Sequence, residues 1–235
     1  AYAASIWIDK VVFWWGEGVS VIGLPTHPLY DTCFYLAYLT VVPAMAANLV
    51  HFETRFYGLY RVFFDGIERY SPDLVSWNGS GFDLPVLHYR ALRHGIQAPR
   101  YWETGDADRD FRWNNYLSRF HWRHVDLMDV LAGYQVRGRA SLDQTAVLLG
   151  FPGKLGMSGD KVWGKFMAGA IEEIRDYCET DVLNTWLVYL RFEFMRGNLD
   201  AKDLQREYAL VRKTLASLDL PHLNEFLAAW PEQGR

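Results

Sequence analysis

Two groups of residues in this 235-residue chain have the types and spacing that chemistry needs. Tyr177 and Asp181 stand four apart in an apolar, helix-like run, so a phenol and a carboxylate project from one helix face a turn apart. Such a pair can bind a metal ion and orient a water. Asn78, Phe82 and Asp83 form the second group, in SWNGSGFDLPVLHYR, residues 76–90. There a short apolar run leads into Asn-Gly-Ser-Gly, and Asp83 opens a helix-like run. Its carboxyl is thereby expected at the carboxyl end of a strand, where open α/β sheets bind ligands. Plain structural readings stand beside both. A tyrosine half buried in an amphipathic helix is ordinary. Asp83 can cap its own helix, a contribution of about 1 kcal/mol, and Gly79 and Gly81 can serve a tight turn. Neither group carries much alone; together they form a pattern.

The elements that must position these residues follow from local signals. LVSW, ending at Asn78-Gly79, is expected as a strand. DLPVLHYRALRHG reads as a helix with Asp83 at its start, Pro85 in the first turn and Gly95 as its stop. Before them, LYRVFFDGIERY has helical spacing and is broken by Ser71-Pro72-Asp73. Residues 99–123 form an aromatic, charged loop region. HVDLMDVLAGY starts a helix near Asp126, and SLDQTAVLLG is another, with Ser141 as N-cap and Gly150 as C-cap. A Gly-rich loop, FPGKLGMSGDKVW, leads to the long helix AIEEIRDYCETDVLNTWLVYLRFEFMRG, closed by Gly197. The tail is helical from Asp200 to about Leu218, and a short helix follows Pro221. KVVFWW and VSVIGL read as strands near the start of the chain. Strands mixed with helices imply α/β.

Composition narrows the function. The net charge of -4 provides no global field to attract nucleic acid, so a nucleic-acid enzyme needs a local basic strip. Two cysteines, Cys33 and Cys178, without a CxxC argue against a disulfide framework and a cysteine-rich zinc site. They fit a reducing compartment, and a cytoplasmic protein is expected. Seven of the charged residues fall in residues 1–61, which makes this segment about half as charged per residue as the rest. Thr32 to Val50 is uncharged and has the length of a membrane span, roughly 20 residues. Pro43, Asn48 and several Tyr and Thr dilute it and no Lys/Arg cluster flanks it, so we read two or three buried strands there. Three segments result: an atypical N-terminal segment over 1–61, a core over 62–197 and a helical tail over 198–235.

LVSWNGSGFDLPVLHYRALRHG, RYWETGDADRDFRWNNYLSRFHWRHVDLMDVL, LLGFPGKLGMSGDKVW and YCETDVLNTWLVYLRF occur in order between about Phe63 and Leu215. They resemble the predicted 3'-5' exonucleases related to the proofreading domain of family B DNA polymerases. The resemblance implies a ribonuclease H-like mixed sheet flanked by helices, in one domain with a helical tail. It implies a DEDD-type site in which two Mg²⁺ or Mn²⁺ ions, roughly 3.5–4 Å apart, clamp the scissile phosphate. Carboxylates suit such hard cations. Asp181 would hold the catalytic metal, Asp83 the second, and Tyr177 would orient the attacking water. Asn78 and Phe82 would position the terminal nucleotide, and Lys154 would meet a phosphate or remain a solvated lysine. The implied partner is single-stranded DNA or RNA, with a replication or repair partner left open. Trp102, Trp113, Tyr116, Arg109, Arg112 and Arg119 are candidates for the basic, stacking strip. Asp126 and Asp129 read as a supporting carboxylate or, in the reading we prefer, as a helix cap and a surface acid.

The first acidic motif of such enzymes, D-x-E, is not found in residues 1–61. HFET offers Glu53 and Thr54 in order, with His51 where Asp belongs and only nine residues before Phe63. Asp9 ends a strand-like run but no acid follows two residues later. A third placement makes DKVVFWW the family's second strand and puts the motif ahead of Ala1. The alternative function is therefore a catalytically inactive nuclease fold that binds nucleic acid, since two aspartates cannot neutralise two divalent cations.

Overall fold

Short β-rich runs and long amphipathic runs part company in the structure, a computed structural model that describes residues 19–21, 24–26 and 57–231. The chain divides into two units, Ala1–Arg61 and Val62–Arg235. In the first, strands β1 (Val19–Val21) and β2 (Leu24–Thr26) pair antiparallel, Ser20 opposite Pro25. The run VSVIGL is thus shared between two strands instead of forming one, with Gly23 between them. KVVFWW, Thr32 to Val50, and the motif placements at Asp9 and His51–Thr54 lie outside the described residues.

Helix α1 covers residues 57–70 and ends where the Ser-Pro-Asp break was expected. Ser71 takes a left-handed φ of 43° there. Strand β3 (Leu74–Ser76) follows, then helix α2 (Asp83–His94). Gly95 stops α2 in the left-handed region, its N–H reaching back to the last carbonyls, as its lack of a Cβ permits. The long loop over 95–123 holds one short 3₁₀ turn, Arg109–Phe111. Strand β4 (His124–Asp126) then pairs parallel to β3, with Ser76 opposite Asp126. Helices α3 (Leu127–Leu131) and α4 (Leu142–Leu148) come next. Ser141 caps α4 in a full capping box with Gln144. After α5 (Val162–Met167) come the 25-residue α6 (Ile171–Met195), α7 (Ala201–Leu218) and α8 (Pro221–Ala229).

Two apolar clusters hold this unit. One gathers Val125, Leu127, Ala146 and Phe151 against Leu187, Val188, Tyr208, Phe226 and Trp230 from α6 to α8. Burying each large side chain of this kind contributes about 1.5–3 kcal/mol. The other joins Phe64 and Ile67 of α1 to Leu84 and Ala91 of α2 and to Tyr101, Phe111 and Tyr116 of the long loop. Strands β3 and β4 lie between them, Val125 packing into the first and Leu74 against the second.

The second unit is a mostly helical α/β domain with a small parallel sheet. The mixed ribonuclease H-like sheet expected above is larger than the two parallel strands found among the described residues. Residues 57–231 offer two short runs that settle as strands, and the rest has helical periodicity or loop chemistry. Strand β4 corrects a further expectation: HVD was read as the entry to a helix, and it extends because its three residues pair with β3. Among the described residues no helix is long and apolar enough to cross a membrane.

Candidate active site

The turn after β3 is built by a carboxylate from β4. Asp126 accepts the backbone N–H of Asn78 at 2.9 Å and that of Ser80 at 3.0 Å. Asn78 sits in the left-handed region at φ 63°, which asparagine tolerates better than most residues. Gly79 is buried against Ser76, and a Cβ there would collide with that side chain. Ser76 Oγ in turn lies 2.8 Å from His124 Nε2. The chain then enters α2 through Phe82, which holds the N-cap position without a side-chain cap. Phe82 is 64% exposed, an aromatic face open to a ligand.

Asp83 is the first residue of α2, not its cap, and its carboxyl accepts its own backbone N–H. Burial of that carboxyl, aided by the nearby Asp126 charge, pushes it above the usual carboxylate range. The residue as a whole stays exposed, so the carboxyl meets both the cleft and solvent.

Helix α6 supplies the second carboxylate. Asp181 is pushed up by burial, while a hydrogen bond from Tyr177 and the Lys154 charge draw it back. Burial and the bonded Asp181 raise the Tyr177 phenol far above its usual value, so it acts as a neutral donor. Burial pushes the Cys178 thiol on the same helix up, and the Asp181 and Asp83 charges add to that push. Asp83, Asp181, Lys154, Cys178, Asn78 and Trp186 line one cleft of about 720 Å³.

Lys154 is placed by the loop over 151–161. Asn184, buried in α6, accepts Gly153 N–H at 3.2 Å and donates to Gly153 O at 2.8 Å and to Thr180 O at 3.0 Å. Asp143 accepts Lys154 N–H at 2.7 Å. Gly153 has φ 67° and lies so close that a Cβ would sit 2.6 Å from Asp143 Oδ1, so glycine is required. The Lys154 ammonium then lies 5.8 Å from the centre of the Tyr177 ring.

The structure therefore brings Asp83, Asp181, Tyr177, Lys154 and Asn78 to one region, with Phe82 at its exposed edge. Two acids differ from their preferred reading. Asp126 occupies the N-cap position of α3 but makes no cap bond, because both its oxygens serve the Asn78–Ser80 turn. Asp129 is buried rather than superficial, bound by Arg119 at 2.9 Å and Arg139 at 2.5 Å. Two members of the expected stacking strip are structural as well. Arg119 is occupied by Asp129, and Tyr116 is buried, stacked on Tyr101 at 5.3 Å with its hydroxyl donating to Pro72 O. Trp102, Trp113, Arg109 and Arg112 remain on the surface. Asp143 and Asn184 were missed as positioning residues; Asn184 stands one turn beyond Thr180 on α6, and its polarity in a buried stripe is the available signal.

A carboxylate-lined cleft at the carboxyl end of a parallel strand defines a ligand-binding or hydrolytic α/β domain. The chain belongs to the family of predicted 3'-5' exonucleases related to the exonuclease domain of PolB, whose model matches residues 46–230. Residues 1–72 match a second family model, described as "Putative exopolysaccharide Exporter (EPS-E)". No curated protein and no solved structure matches the chain. The family supports a nuclease function and a nucleic-acid substrate.

Proposed function

We propose that this chain removes nucleotides from the 3' ends of single-stranded DNA or RNA by metal-dependent phosphodiester hydrolysis. One observation carries the reading: Asp83 and Asp181, far apart in sequence, line one cleft, with Tyr177 one turn before Asp181 on α6. Exonuclease domains commonly work with divalent metals, and the donor set fits a hard cation. Both carboxyls are pushed up by burial, and neither forms an ion pair among the described residues. Asp83 and Asp181 would hold Mg²⁺ or Mn²⁺, which when bound supplies charge neutralisation for the scissile phosphate and a more acidic water. Asp126 and Asp143 stand near but are bonded to backbone N–H groups, so two free carboxylates face the cleft among the described residues. Occupation by two ions therefore calls on acids outside residues 57–231.

The chain's own groups divide the remaining work. Tyr177, neutral at working pH, orients a water against the phosphate. Lys154 meets a phosphate oxygen, and its charge opposes the upward push of burial on Asp181. Phe82 packs on the terminal sugar or base, while the turn at Asn78 fixes where that nucleotide stops. Trp102 and Trp113, with Arg109 and Arg112, offer the following nucleotides a stacking and phosphate-binding surface.

End-labelled single strands in Mn²⁺ test this. Shortening from the 3' end that is lost in Asp181→Ala is expected. Binding with steep salt dependence but without turnover would instead leave a nucleic-acid-binding nuclease fold.

A further inference from the structure

Helices α6 and α8 meet at a second group of metal-ligating side chains, separate from the cleft. Asp176 and Glu179 lie three apart on α6, so both carboxylates share one face. His222, in the first turn of α8, lies between them. Its Nε2 is 2.7 Å from Glu179 Oε2, and its Nδ1 is 3.7 Å from Asp176 Oδ1. One donor atom from each of the three falls within 4.8 Å of the others. The His222 side chain is only 13% exposed, so its ring is fixed in this orientation. A cation held by one His222 nitrogen and the two carboxylates would offset the negative charge that Asp176 and Glu179 bring together.

The surroundings leave room for it. Asp176 and His222 line a cavity of about 400 Å³, which shares no lining residue with the Asp83–Asp181 cleft. Glu225, three residues beyond His222, lines the same cavity. Arg175 is the present counter-charge, 2.8 Å from Asp176 and 3.7 Å from Glu179. Its side chain is 58% exposed, and exposed ion pairs of this kind are weak, so it can swing into solvent.

We infer that Asp176, Glu179 and His222 form a binding site for a borderline divalent cation of the Zn²⁺ class, which pins α8 to α6. Imidazole with carboxylates suits such an ion, while purely oxygen sets suit Mg²⁺. The inference does not rest on the proposed nuclease chemistry, although Tyr177, which neighbours Asp181, also lines this cavity.

Zinc titration of the EDTA-stripped full chain, followed by calorimetry, tests it. An Asp83→Asn/Asp181→Asn background removes the candidate active site from the count. One Zn²⁺ per chain is expected in that background, bound at least tenfold more weakly after His222→Ala. Arg175→Gln in the same background should bind at least as tightly, since the competing guanidinium is gone. No Zn²⁺ bound by the background, unchanged affinity in His222→Ala, or weaker affinity in Arg175→Gln would each overturn the site. If circular dichroism finds His222→Ala unfolded, Asp176→Asn takes its place with the same two readings.

Discussion

Asp126 on β4 holds Asn78 after β3, accepting its N–H at 2.9 Å across 48 residues of sequence. The same carboxylate holds Ser80 N–H at 3.0 Å, so one side chain shapes the turn from which Phe82 and Asp83 project. Asp126→Ala would leave both donors without that acceptor. Charge-assisted bonds contribute about 1.5–3 kcal/mol each, so a loss of about 2–4 kcal/mol in urea unfolding is expected. Asp126→Asn should lose less, because one oxygen acceptor remains. A parental urea midpoint in Asp126→Ala would sink this account of the turn.

Asp83 and Asp181 should trade stability for function. Their folded-state values lie above the ordinary 3.8, with burial as the main cause. Folding thus favours the protonated forms. The associated stability is present below about pH 3.8 and is lost as pH rises through the raised values. At neutral pH in metal-free buffer, Asp181→Asn should therefore melt higher than the parent, by a few degrees on the order of 2–4 °C. The difference should vanish near pH 3.5, and hydrolysis should fall more than about 100-fold. A lower melting temperature at neutral pH would contradict the burial argument.

Asn184 should be the strongest single anchor of the Lys154 loop. It is 1% exposed and makes three hydrogen bonds to backbone groups of Gly153 and Thr180. Asn184→Ala is expected to lower stability by about 2–4 kcal/mol, since it strands buried donors and acceptors. Asn184→Asp should not restore it, because the amide donates two of the three bonds. Equal urea midpoints for parent and Asn184→Ala would refute the role.

His124 should make the sheet sensitive to mild acid. Burial holds its imidazole below 6.5, against the opposing pull of Asp126 and Asp129. A depressed value means stability present above about pH 6.5 and lost as pH falls through the folded-state value. His88, also lowered by burial, adds to the same slope. Unfolding free energy should decline as pH falls below 6.5, and His124→Gln should flatten part of that decline. Identical slopes for the two proteins would exclude His124 as a source.

Much of the helical framework could be read locally. Gly95 stops α2, Ser141 with Gln144 caps α4, and Pro221 opens α8, because caps and stops depend on neighbours within four residues. Strand β4 could not be read this way. HVD is too short to show a period, and it extends only because β3 lies beside it. Asp126 and Asp129 misled for the same reason. Their partners are Asn78, Ser80, Arg119 and Arg139, and no spacing rule connects those positions. Tyr116 looked like a stacking surface because aromatic residues in a charged loop resemble one until burial is known.

The sequence alone determined the family and the residue types on offer: Asp83 at a helix start, and Tyr177 and Asp181 a turn apart on α6. These features rest on periodicity and order, which a single chain carries in its local text. Only the tertiary structure decided that Asp83 and Asp181 share a cleft, that Asp126 builds the turn leading into Asp83, and that His222 meets Asp176 and Glu179. Each of those relations joins elements distant in sequence, and it is burial and packing between helices and strands, not local propensity, that bring such groups into contact.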